Sequence, residues 1–175
     1  MKIWEATYSE GVTLDKNQGG CSFVMPNAPG HINYLLSGIN PDRFATAQAL
    51  SVYYKTEIVS GRPKFVSLDG TGPMLPGFNL MIEAEDDNMR SEFGRYWSKP
   101  RAVLLPNTVA SLHVPLAPGL WSDVEGKPST EHLPRWAGKR IGKLGITFGG
   151  GNSYGHGLTV LGGVVRFTLS KLVLH

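Results

Sequence analysis

The chain predicts an all-β protein, a two-sheet antiparallel β-sandwich with at most short helical turns, and three observations carry that expectation. Near the C-terminal end, Leu144, Ile146 and Phe148 alternate with Gly145 and Thr147. From residue 164 the alternation resumes as Val164, Val165, Phe167, Leu169, Leu172, Val173 and Leu174 among the polar Arg166, Thr168, Ser170 and Lys171. Composition is the second observation: 22 Gly and 12 Pro in 175 residues, with 41% hydrophobic and 18% charged, suit many short strands joined by tight turns rather than long helices. The third is spacing, because about ten strand-like segments recur at intervals of roughly a dozen residues with no solenoid-type repeat. The length fits one domain over residues 1–175.

Taken in order, residues 2–8 and 11–14 read as short strands around a Ser9-Glu10-Gly11 turn, and residues 21–25 as a third that ends at Pro26. Pro26-Asn27-Ala28-Pro29-Gly30 is loop. Residues 31–36 are strand-like, and Asn40-Pro41 signals a turn that opens a short helix over 42–48. Leu50, Val52 and Tyr54 alternate with Ser51, Tyr53 and Lys55 in a long strand that continues to Val59 and the Gly61-Arg62-Pro63 turn. A short strand over 64–68 precedes a breaker-rich loop, Asp69-Gly70-Thr71-Gly72-Pro73 and Leu75-Pro76-Gly77. Residues 78–84 form a strand, Glu85-Asp86-Asp87-Asn88 an acidic turn, and 90–97 the antiparallel return. Residues 102–105 and 109–116 are further strands, and 121–125 continues an edge. Residues 127–139 read as a polar surface excursion anchored by Trp136, before the closing strands at 144–148 and 158–174.

Charge excludes some partners. A net +3 from 17 Lys+Arg against 14 Asp+Glu, without a basic block, does not argue for nucleic acid. The densest basic stretch, Arg135, Lys139, Arg140 and Lys143, reads first as a solvated loop and second as an attractor of an anionic polymer. Cys21 is alone, so neither an intrachain disulfide nor a multi-cysteine metal site can form. The first residues hold no apolar signal region and no apolar run has the length of a membrane span. A soluble chain follows, either intracellular or extracellular as part of a larger or processed protein.

From residue 109 onward the order of pieces resembles the C-terminal half of galactose-binding-like jelly rolls, the fold of many carbohydrate-binding modules. The pieces are a strand with Leu112, Val114 and Leu116, then Leu120-Trp121, a long loop, the strand from Ile141 to Phe148, and a last strand running to Leu174. The early strand over 49–57 is similar to that family's as well. The resemblance implies a jelly-roll sandwich that binds a glycan, on a sheet face or in loops at one end, and in many members holds one structural Ca²⁺. It carries no catalytic motif, so it speaks to fold before activity. The chain departs from the family at the loop 149–157, which is longer and richer in glycine than a hairpin connection. A strand rather than a helix follows this loop, so it is not a phosphate cradle.

Sugar recognition pairs aromatic platforms with groups that hydrogen-bond hydroxyls. Tyr53 shares a face with Ser51 and Lys55 whereas Tyr54 shares one with Leu50 and Val52, so Tyr53 is the better ligand contact. Residues 88–97 are the richest polar-aromatic mixture and supply Arg90, Glu92, Arg95 and Trp97, while the glycine loop supplies Asn152, Tyr154 and His156. For any one aromatic, burial in the core is the competing assignment. Arg90-Ser91-Glu92 weakly resembles the Arg-Ser-Glu strand of jelly-roll alginate lyases, which would imply contact with uronate carboxylates. The Gln-x-His element of those enzymes is absent before His31, and the surroundings of Tyr54-Lys55 do not match.

Glu83, Glu85, Asp86 and Asp87 could supply paired carboxylates for glycoside hydrolysis or ligands for calcium, with Asp86 and Asp87 the chosen metal candidates and Asp15 and Asn17 as other oxygen donors. His31, His113, His132 and His175 show no pair at i, i+2 or i, i+4, which argues against a dedicated zinc site. No Gly-x-Ser-x-Gly elbow appears and no residue is assigned a catalytic role. The leading expectation is therefore a non-catalytic carbohydrate-binding module. An enzyme on acidic polysaccharide comes second, built on Arg90, Glu92 and His156, and a jelly roll that assembles with copies of itself comes third.

Overall fold

The alternating segments pair as antiparallel strands, each burying one face. The structure, a computed structural model, describes residues 3–17, 19–68, 76–87, 94–124, 126, 139–149 and 157–175. Their elements are β1 (Trp4–Thr7), β2 (Asp15–Lys16), β3 (Cys21–Val24), β4 (Tyr34–Gly38), α1 (Pro41–Ala45), β5 (Ala49–Ser67), β6 (Gly77–Ala84), β7 (Arg95–Val103), β8 (Thr108–Pro115), β9 (Trp121–Ser122), β10 (Ile141–Gly149) and β11 (Leu158–Leu174). Among the described residues one sheet has six strands in the order β1-β4-β10-β6-β7-β9, and the other has five in the order β2-β3-β11-β5-β8. Every strand pair is antiparallel. The chain changes sheet at most steps, from β4 to β5 to β6 and again from β7 to β8 to β9, which makes the molecule a two-sheet β-sandwich of the jelly-roll type.

Between the sheets lies an aromatic centre. Tyr54 meets Phe78 at 4.8 Å and Phe148 meets Phe167 at 5.1 Å, both edge to face, and Phe23 lies 5.6 Å from Phe167. Tyr54 keeps its hydroxyl satisfied by donating to Val103 O at 2.9 Å, and the buried Trp121 indole donates to Pro115 O at 2.8 Å. The pattern of β5 separates its two tyrosines as alternation requires: Tyr54 is in the core and Tyr53 is 42% exposed on the other side.

Several boundaries differ from the sequence expectation, each for a local reason. Residues 50–59 and 64–68 are one 19-residue strand, not two. The register against β11 shifts between Leu161 and Gly163, where Gly61 (φ +74°) and Gly162 (φ +71°) absorb a bulge, and Arg62 and Pro63 fall there outside the paired positions. The expected strand 102–105 is instead the end of β7, which passes through Pro100 at a second irregularity opposite Asn79 to Met81. Ser98 fills that irregularity: its Oγ accepts from Leu80 N at 3.0 Å and donates to Pro100 O at 2.6 Å. Residues 11–14 are not strand, since Gly11 has φ +71° and the neighbouring pairing comes from β2 and an isolated Glu10–His31 bridge. The helix over 42–48 contracts to α1, whose first turn is capped by Asn40 Oδ1 accepting from Asp42 N at 2.9 Å. The two closing strands, β10 and β11, belong to opposite sheets, so the residues between them do not join a hairpin.

Candidate functional site

The outer face of the six-stranded sheet concentrates polar and aromatic side chains, and strand register sets them in three rows. One row runs Thr7, Tyr34, Thr147, Asn79, Arg101; the next runs Glu5, Leu36, Gly145, Met81, Trp97, Ser122; the third runs Gly38, Lys143, Glu83, Arg95. Each is the alternate position of a strand whose other residues, among them Leu35, Leu80, Ile82, Tyr96, Leu144 and Ile146, fill the core. A Cβ at Gly145 would run into the Leu35 carbonyl, so the centre of the middle row carries no side chain and Leu36 lies over it.

The middle row is apolar and dry. Leu36, Met81 and Trp97 form a second hydrophobic cluster, with Tyr34 and Val124 packed against it. Trp97 is 1% exposed, its Nε1 donates to Thr147 Oγ1 at 3.0 Å, and Thr147 in turn donates to Met81 Sδ at 3.3 Å. Trp97 is therefore not the open stacking platform expected of it; its indole is consumed in this cluster.

Beside this cluster lies a row of charge. Glu83 is fully buried, and its Oε1 accepts from Lys143 Nζ at 2.5 Å while Oε2 has no hydrogen-bond partner among the described residues. Burial pushes the Glu83 carboxyl above its ordinary value, opposed by the bond to Lys143 and by its charge. Arg95, directly across from Glu83, pairs through Nε with Asp87 Oδ2 at 3.0 Å. Arg95 thus lies on this face as an ion-pair partner. Asp87, expected at a solvated acidic tip, is instead buried against that guanidinium.

At the edge formed by β1 and β4 the face opens. Tyr34 is half-buried, and Tyr8 meets it edge to face at 6.1 Å. Tyr8 is 58% exposed and holds φ +49°, the left-handed region that a bulky residue adopts only at a cost. Burial raises the Tyr34 hydroxyl above its ordinary value; Arg95 opposes this and Tyr8 and Glu83 add to it, which places each of the three within electrostatic reach of Tyr34.

Of the residues singled out from sequence, Arg95 and Trp97 share this face, whereas Tyr53 projects from the opposite face of the sandwich. Arg90, Glu92, Asn152, Tyr154 and His156 lie outside the described residues. Asp86 is exposed at a cleft of about 430 Å³ lined with Glu85, Lys139 and Arg140. Among the described residues Asp86 and Asp87 join no group of three or more His, Cys, Asp or Glu able to hold a metal. Cys21 is buried, and burial pushes its thiol up to about 12, which leaves it unreactive. No described helix is long and apolar enough to cross a membrane. Sequence reasoning missed Tyr8 and Tyr34, and it read Lys143 only as part of a basic stretch. A signal existed for Tyr34, which alternates with Leu35, but leucines on both faces of β4 concealed which side was core.

No family model and no curated protein matches the chain. Among the solved structures similar to it are the carbohydrate-binding module CtCBM11, at TM-score 0.45 and 10% identity over 98% of this chain and 87% of that one, and a candidate glycoside hydrolase from Bacteroides thetaiotaomicron, at TM-score 0.44 and 11% identity over 94% of this chain and 56% of that one. At such distances the fold rests on the two sheets described above.

Proposed function

We propose that the protein is a non-catalytic carbohydrate-binding module whose ligand lies on the outer face of the six-stranded sheet, at the edge where Tyr8 and Tyr34 meet. The observation that carries this reading is the exposed, conformationally constrained Tyr8 against Tyr34, with Glu83 and Arg95 within electrostatic reach of Tyr34. A phenol ring offers a flat apolar surface to a sugar ring, and the neighbouring hydroxyls, ammonium and guanidinium supply directional contacts to its hydroxyls. Arg90, Glu92, Asn152, Tyr154 and His156 join this reading as further glycan contacts.

Binding to an array of neutral and uronic-acid glycans, with reducing ends and unsaturated products assayed in the same wells, tests it. The expected result is binding without turnover, weakened about tenfold by Tyr8→Ala or Tyr34→Ala, as loss of one aromatic platform predicts. Silence on every glycan, or binding indifferent to both variants, overturns it. One observation favours a second reading, an enzyme on acidic polysaccharide: burial raises the proton affinity of the Glu83 carboxyl against the opposing pull of Lys143 and Arg95, as a general acid requires. Turnover abolished by Glu83→Gln would replace the first reading with the second.

A further inference from the structure

The strongest cluster outside this site stands on the opposite face of the sandwich. Ser51 of β5 lies directly across from His113 of β8 on one side and from Val173 of β11 on the other. His175, two residues beyond Val173, falls on the same face by the period of two. The Ser51 hydroxyl is 2.8 Å from His113 Nδ1 and 2.9 Å from His175 Nε2, and the two rings meet edge to face at 5.5 Å. Ser51 is buried, while both histidines are exposed.

A hydroxyl carries one proton. It can donate to one imidazole nitrogen at a time and has two lone pairs with which to accept an imidazole N–H, so it bonds both rings whenever at least one of them turns an N–H toward it. The ring that turns its N–H toward Ser51 turns its lone pair away from it. Two imidazoles from different strands are thereby held around one oxygen by a rigid frame. His113 sits within the β5–β8 ladder, His175 N donates to Ala49 O at 3.0 Å, and Gln48 N donates to His175 O at 2.5 Å.

We propose that His113 and His175, with the Ser51 hydroxyl between them, form a binding site for a divalent transition-metal ion of borderline softness, such as Zn²⁺ or Cu²⁺. Imidazole suits these ions, and the fold already holds one nitrogen of each ring at hydrogen-bond distance from a single oxygen. Both rings are exposed and so free to turn when hydrogen bonds are exchanged for metal–nitrogen bonds of about 2.0–2.1 Å. Water completes the coordination, and a cleft of about 160 Å³ lined by Arg43, Thr46, Ala47, Leu174 and His175 lies beside the second ring. The site is independent of the glycan reading and escapes any spacing rule, because its ligands sit on separate strands.

Titration of the full chain with Zn²⁺, read by calorimetry and thermal unfolding, and with Cu²⁺, read by electron paramagnetic resonance, tests the proposal. The expected result is one ion per chain, a higher Tm, and nitrogen hyperfine structure from two imidazoles. His113→Gln and His175→Gln keep an amide able to bond Ser51 and so protect the fold, and each weakens Zn²⁺ at least about tenfold by removing one of two nitrogen ligands. His31, His132 and His156 remain in both variants as the control. Equal affinity in wild type and variants, or no binding at micromolar Zn²⁺, overturns the proposal.

Discussion

The two outer faces of this sandwich obey the same alternation and have opposite fates. On the six-stranded sheet the outward positions of β6 and β7 include Met81, Glu83 and Trp97, all buried. On the five-stranded sheet the outward positions of β5 and β8 include Tyr53, the exposed Lys55–Glu57 pair at 3.0 Å, and Val109, which is 77% exposed. Pointing away from the shared core is thus not the same as meeting water. Where the outward face is dry, a carboxylate must find a cation, an indole N–H must find an acceptor, and both are found: Glu83 with Lys143, and Trp97 with Thr147.

That contrast can be broken by substitution. Trp97→Ala removes a buried indole together with its hydrogen bond and is expected to cost about 3–5 kcal/mol in urea unfolding, whereas Tyr53→Ala on the open face costs about 0.5 kcal/mol or less. Similar costs for the two would show that Trp97 is not sealed. A smaller difference separates the ion pairs. Lys143→Ala leaves the buried Glu83 carboxylate without its ammonium and is expected to destabilise by about 1–3 kcal/mol, less than a fully buried pair because the Lys143 side chain is itself 44% exposed. Lys55→Ala, which opens a pair exposed at both ends, is expected to change stability by no more than about 0.5 kcal/mol.

The smallest effect is a dependence on pH. Burial raises the Glu83 carboxyl above its ordinary value in the folded chain, so the folded state keeps this proton where the unfolded state has released it. The unfolded state then binds fewer protons, and this residue's contribution to stability falls as pH climbs from the ordinary carboxylate range to the folded-state value. Glu83→Gln is expected to flatten that fall in a series of urea midpoints between pH ~4 and ~7. An unchanged slope would assign the dependence to other groups.

Much of the fold was legible because its cause is local. The apolar rhythm of residues 144–148 and 158–174, the split between Tyr53 and Tyr54, and the return of residues near 95 against 78–84 all follow from side chains alternating across a strand. Pro63 misled for an equally local reason. A proline in a turn and a proline at a bulge look alike until the partner strand shows which residues are paired. The site was less legible. Arg95 was found because it lies in a polar-aromatic run, but Tyr8 and Lys143 lie far from that run in sequence and join it only through β4 and β10. Asp87 belonged to an acidic stretch that reads as solvated, and only the facing Arg95 draws it into the interior.

The sequence by itself determined that this chain makes strands, that it makes them amphipathic, and which residues of β5, β6, β10 and β11 turn inward, since periodicity two needs nothing beyond the backbone and its immediate neighbours. Tertiary structure alone decided that the centre of one outward face is dry and the other face open. It also decided that Glu83 meets Lys143 across 60 residues and that His113 and His175 converge on Ser51 from positions 62 and 124 residues away. The physical reason is that a polar atom's environment depends on which strands become neighbours, and pairing between distant segments is set by the burial of the whole core rather than by any residue's own surroundings.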